Sequence, residues 1–197
     1  MPKFTAFPIA LALCLGLSAP AQLARAEVAA QDEAGFVVRL QADTPASKTE
    51  VWKALIAPGK WWSDEHTYSG KAANMYIDAQ ASGCFCEKLP KPADAPEDQR
   101  MGSVEHMHVV YADPQRGVLR MVGGLGPLQG DAVHGVLTIT LKPTETGTKI
   151  EWEYRVAGAF SAAPAQIAPM VDRVLGEQLA RLAALLTPPE AVAAKPD

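Results

Sequence analysis

Apolar and polar residues alternate with two different periods along the chain, and the changes of period mark its elements. In "FVVRLQAD", Phe36, Val38 and Leu40 fall on one face while Val37, Arg39 and Gln41 fall on the other, the period of two of a half-buried strand. "SKTEVWKAL" follows. There Ser47 and Glu50 have capping-box spacing ahead of Val51, Ala54 and Leu55, which predicts a helix that Pro58 and Gly59 stop. Six strand-like runs come next: "NMYIDAQ", "CFCEKL", "SVEHMHVVYAD", "GVLRMVGGL", "DAVHGVLTITLKP" and "TKIEWEYRVAG". Turn-forming stretches separate them, among them Asp113-Pro114-Gln115-Arg116-Gly117 and the loop from Pro90 to Gly102, so the sequence predicts an antiparallel meander. In "PMVDRVLGEQLARLAALL", Val171, Val174, Leu175, Gln178, Leu179, Leu182, Leu185 and Leu186 recur at helical spacing, and Pro169 suits a first turn. The expected architecture is α+β: a seven-stranded antiparallel sheet with a long C-terminal helix laying its apolar stripe on the concave face.

The ends read differently. Lys3, the apolar "IALALCLGL" and the small-x-small "ARA" have the form of a secretory signal peptide over residues 1–26, with an apolar run too short to span a bilayer. Residues 27–34 and the stretch from Thr187 look frayed, which leaves a domain over 35–187 and a disordered tail over 188–197. Cleavage after Ala26 removes Lys3 and Arg25 and takes the formal net charge from −4 to −6. An acidic chain without Lys/Arg clusters argues against nucleic acid and anionic membranes as partners. The expected protein is periplasmic or secreted, without a membrane span, and a monomer or weak dimer.

Chemistry concentrates on two neighbouring strands. Residues two apart on a strand share a face, so Cys84 pairs with Cys86 and His106 with His108. Packed thiols, a disulfide, or a Cys₂His₂ site for zinc or copper are all open readings. A four-residue turn at 114–117 sets Asp113 opposite Val118 and His108 opposite Gly123, which turns the histidines inward. The apolar set Met107, Val109 and Tyr111 argues for the opposite: a one-residue slip or bulge turns these three in, sends both histidines out, and brings Glu87 and Glu105 inside as a carboxylate pair. Elsewhere, Trp152 and Tyr154 alternate with Glu151, Glu153 and Arg155 and therefore point toward the helix. Trp61, Trp62 and His66 lie in the segment after the first helix. No nucleophile elbow, phosphate loop or dinucleotide fingerprint is present in the sequence.

The stretches "VWKALIAPGKWW", "HTYSG", "GCFCE", "VEHM", "VVYADP", "GGLGPLQG" and "MVDRVLGEQLARL" resemble an exported bacterial branch of the SRPBCC superfamily, the helix-grip group that includes Bet v 1, START domains and polyketide cyclases. The resemblance covers about residues 36–186. It implies a cavity between the last helix and the sheet that takes a small apolar or aromatic ligand, lined by Trp61, Trp62, His66, Met121, Trp152 and Tyr154. Because this fold hosts many activities, a cyclase- or dehydratase-like enzyme in which His66 or Glu87 moves a proton stands beside the carrier reading, and a periplasmic metal binder stands third.

Overall fold

The computed structural model describes residues 25–187. The signal-like stretch up to residue 24 and the tail from residue 188 lie outside the described residues. Strands β1 (Arg25–Gln31) and β2 (Gly35–Thr44) lead to helix α1 (Lys48–Leu55). Then come β3 (Met75–Ile77), β4 (Cys84–Leu89), β5 (Gly102–Asp113), β6 (Val118–Val122), β7 (Ala132–Thr144), β8 (Gly147–Ala159) and helix α2 (Pro164–Leu185). One antiparallel sheet runs in the order β1-β2-β8-β7-β6-β5-β4-β3, and α2 packs on β1 and β2. This is a helix-grip arrangement of the expected class, with eight strands rather than seven. No helix among the described residues is long and apolar enough to cross a membrane.

The added strand corrects the expectation of a frayed segment after residue 26. Val28 pairs with Val38 and Gln31 with Phe36, so the small residues of "AEVAAQ" satisfy their backbone groups on the free edge of β2. α1 carries the expected capping box: Ser47 Oγ accepts from Glu50 N–H, and the Glu50 carboxylate accepts from Ser47 N–H. "NMYIDAQ" shrinks to a three-residue strand preceded by short 3₁₀ turns. α2 begins five residues before the expected Pro169, which sits inside it, with Pro164 in the first turn.

The core follows the alternation in β2, β7 and β8. Phe36, Val38, Leu40, Leu137, Ile139, Leu141, Ile150, Trp152, Tyr154 and Val156 all belong to one buried cluster, to which α2 contributes Leu175, Leu179 and Leu182. Close approach decides one position there. A Cβ on Gly135 would lie 2.2 Å from Gly123 O and 2.6 Å from the Tyr154 hydroxyl, so only glycine lets β7 pass that close.

Two register shifts decide the chemistry of β4 and β5. Asp113 pairs with Val118 as expected, but Val110 is an extra residue, so Val109 meets Met121 and His108 meets Val122. On the other edge of β5, His106 is the extra residue between the Phe85–Met107 and Cys86–Glu105 pairs. The outcome matches neither uniform register. Met107 and Val109 are buried, His106 is also buried, and His108 and Glu105 face solvent.

Candidate functional site

The described residues carry two chemically distinct places inside the fold, joined by a row of aromatic rings. The first is a buried acid–base pair. Glu87 is 0 % exposed; its carboxylate accepts from Tyr68 N–H at 3.0 Å and from Ser69 N–H, and lies 3.0 Å from His106 Nε2. The partner of Glu87 is therefore His106, where one of the two registers open from the sequence paired it with Glu105, because the bulge turns His106 in and leaves Glu105 outside. Burial pushes the Glu87 carboxyl up, but the donors from Ser69, Tyr68 and His106 together outweigh it and hold the group below its ordinary 4.5. Burial also pushes the His106 imidazole below its ordinary 6.5, and Glu87 opposes this only in part.

At neutral pH the pair is thus a carboxylate and a neutral imidazole whose proton sits on Nε2. That leaves Nδ1 as the ring nitrogen able to accept a proton from a molecule outside the pair. A cleft of about 510 Å³ between β5, the end of β6 and the Gly124–Asp131 loop includes His106 in its lining. Gln129 Nε2 donates to Glu105 O at 2.7 Å and ties that loop to β5.

Both shifts make acid destabilising, and the signs agree. His106 prefers its neutral form in the folded protein, so its contribution is full above 6.5 and is lost as pH falls below that value. Glu87 prefers its charged form, so its contribution is full above 4.5 and is lost as pH falls through the lower folded value. The denaturation midpoint of the wild type should therefore begin to fall below pH 6.5, ahead of ordinary carboxylate titration. In His106→Gln the fall should begin only near pH 4.5. Identical profiles for the two proteins between pH 6.5 and 5 would contradict this placement of His106.

The second place is the interior under α2. Trp152 and Trp61 have ring centroids 6.0 Å apart, Trp61 and Trp62 5.5 Å, Trp62 and Phe85 5.2 Å, Phe85 and His106 5.0 Å, and His106 and Tyr68 5.8 Å. The row runs from the middle of the sheet to the acid–base pair. α2 holds its central segment: Gln178 Oε1 accepts from Ser63 N–H at 2.8 Å, and Arg181 Nε donates to Trp61 O at 2.7 Å. Two donors in this region have no acceptor among the described residues, the indole Nε1 of Trp152 and the amide Nε2 of Gln178.

The expected lining residues are thus all placed. Trp61, Trp62, Met121, Trp152 and Tyr154 are buried in contact with the core. The Tyr154 hydroxyl donates to Gly123 O at 2.9 Å and accepts from Leu125 N–H at 3.1 Å, so it anchors the loop after β6, and burial pushes its pKa up to about 12. His66 is on the surface, 3.3 Å from Glu177 of α2, which separates it from the interior. Two further clefts, of about 530 and 440 Å³, open on outward sheet faces lined by groups such as Arg39, Thr138 and Glu153, or His134 and Arg155.

The four candidate metal ligands are not brought together. Cys84 and Cys86 form a disulfide with Cα atoms 5.4 Å apart, shorter than the roughly 6.5–7 Å of an extended strand, and the register shift of the β4–β5 ladder falls between Phe85 and Cys86. His106 points in and His108 points out. A bridge over one intervening residue closes a very small loop and on the loop-entropy relation stabilises the fold by under about 2 kcal/mol, against about 3 for a loop of 15 residues.

No protein-family model and no curated protein matches the chain. Solved structures do. A Chromobacterium violaceum structural-genomics protein is similar at 17 % identity and TM-score 0.51, covering 78 % of this chain and 98 % of its own. A Mesorhizobium loti protein gives 20 %, 0.51, 76 % and 96 %, and a Mycobacterium smegmatis protein 16 %, 0.52, 78 % and 91 %. At these identities the likeness is one of fold.

Proposed function

We propose that this is an exported SRPBCC protein that binds a small molecule with an apolar or aromatic body and at least one hydrogen-bond acceptor, between α2 and the sheet. The observation that carries the proposal is a pair of buried donors without acceptors among the described residues, Trp152 Nε1 and Gln178 Nε2, whose side chains adjoin Trp61 and Ser63. A buried donor left unmade costs about 1–3 kcal/mol. An acceptor-bearing ligand recovers that free energy, while the surrounding indole rings supply apolar contact. Entry requires the Trp61–Ser63 segment to lift from α2, breaking the Ser63–Gln178 and Arg181–Trp61 hydrogen bonds together with the bond of the Trp61 indole to Ala54 O. Export is supported by the "IALALCLGL" and "ARA" stretches and by the Cys84–Cys86 bridge, since disulfides persist in oxidising compartments. Native mass spectrometry of the undenatured chain tests the binding: a retained small molecule is expected as a mass excess that unfolding releases.

A second reading rests on Glu87 and His106. A neutral imidazole oriented by an ionised carboxylate beside a cleft is a general base in form. Incubating the released molecule with wild type and with His106→Gln separates the readings, because turnover changes it chemically only in the presence of His106, whereas binding leaves it unchanged in both.

A further inference from the structure

The outward face of β4 carries a group that neither reading of the interior uses. Cys84 is half-buried and Cys86 buried, and their bridge spans a single residue, Phe85, whose side chain turns inward against Trp62 and His106. The bridge holds no distant parts of the chain together. His108 is the registered partner of Cys84 and Glu105 that of Cys86, so both side chains stand on the face of the bridge, with cross-strand Cβ atoms roughly 5 Å apart. Glu105 Oε1 lies 3.3 Å from His108 Nδ1, an arrangement that holds the ring and leaves Nε2 as the free nitrogen. The other polar groups toward this face are Tyr76, the registered partner of Cys86; Lys88, whose ammonium is 5.6 Å from the Tyr76 ring; and Asp78, whose N–H donates to Cys84 O.

We propose that Cys84 and Cys86 form a reversible thiol–disulfide exchange site for a small thiol, with His108 as the base that deprotonates it. The minimal loop, and the position of Cys84 on the outward face of β4, are those of an exchangeable bridge rather than one that holds distant parts of the chain together. In the reductive direction His108 Nε2 takes the proton of the incoming thiol, and its sulfur attacks Cys84 Sγ. The Cys84–Cys86 bond breaks, a mixed disulfide forms on Cys84, and Cys86 leaves as the thiolate, which takes the proton back from His108. A second thiol molecule, deprotonated by His108 in the same way, attacks the sulfur of the bound one and displaces Cys84 as its thiolate, which takes that proton back. Two thiols are oxidised to one disulfide and the bridge is reduced to two thiols. Cys84 is the attacked sulfur because it is the less buried of the two.

The test uses the full chain in buffers of reduced and oxidised glutathione, with acid quenching, alkylation and mass measurement, while circular dichroism follows the fold. The expected result is a bridge that opens and closes with the glutathione ratio in a protein that stays folded. Cys86→Ser should accumulate one glutathione on Cys84. His108→Asn should slow opening at pH 7 by about tenfold or more and flatten the rise of rate with pH, with the thermal midpoint unchanged. A bridge that resists excess reduced glutathione, or opens only on unfolding, would overturn the proposal. Equal rates and pH profiles for wild type and His108→Asn would overturn the role of His108.

Discussion

Replacing Glu87 by Ala is expected to lower the unfolding free energy by about 3–5 kcal/mol, because three buried donors lose one shared acceptor and each unmade hydrogen bond costs about 1–3 kcal/mol. Three groups lose their acceptor at once: Tyr68 N–H, Ser69 N–H and His106 Nε2. Replacing both partners of a buried hydrogen bond by apolar groups of the same shape is often nearly neutral. That escape is closed here. A Glu87→Leu, His106→Phe double variant still strands the two backbone donors, so it should remain clearly less stable than wild type. Glu87→Gln keeps one acceptor oxygen and should cost about 1–3 kcal/mol, the penalty of a single unmade buried hydrogen bond. Urea denaturation of the four proteins checks the order, and an Ala variant within 0.5 kcal/mol of wild type would show that Glu87 is not buried.

The second large effect is expected on α2. Leu179 and Leu182 are both 0 % exposed, so either one replaced by Ala should cost about 2–5 kcal/mol through lost burial and the cavity left behind. Leu185 was expected on the same stripe, but it is 48 % exposed at the last turn. Leu185→Ala should stay within about 0.5 kcal/mol of wild type. A reversed ranking would mean that α2 is rotated about its axis.

The same helix shows what periodicity can and cannot reveal. The stripe, the capping box of Ser47 and Glu50, and the alternation through Trp152 and Tyr154 were legible because each repeats a spacing set by the backbone. β1 was missed because "AEVAAQ" has neither bulky alternation nor turn residues; its place comes from the unpaired edge of β2. The candidate site depends on single-residue irregularities. An extra residue at His106 and another at Val110 break the register on both sides of β5, and neither leaves a mark in composition. The two uniform registers weighed from sequence each captured half: Met107 and Val109 inside, and His106 inside. Glu87 faced inward in only one of the two registers open from sequence, and its donors from Tyr68 and Ser69 are side-chain-to-backbone contacts that follow no period. The donors of Trp152 and Gln178, without partners among the described residues, had a weaker trace, a glutamine in the middle of an apolar helical stripe.

Those donors carry the functional account, and native mass spectrometry of wild type beside Trp152→Phe tests it most directly. The substitution removes the indole N–H and keeps an aromatic ring. Wild type purified without denaturation should carry a small molecule of defined mass at up to one per chain, lost on unfolding, and Trp152→Phe should retain markedly less of the same molecule while staying folded. Wild type that runs at its bare chain mass, or equal retention by both proteins, would contradict a ligand held by Trp152 under α2.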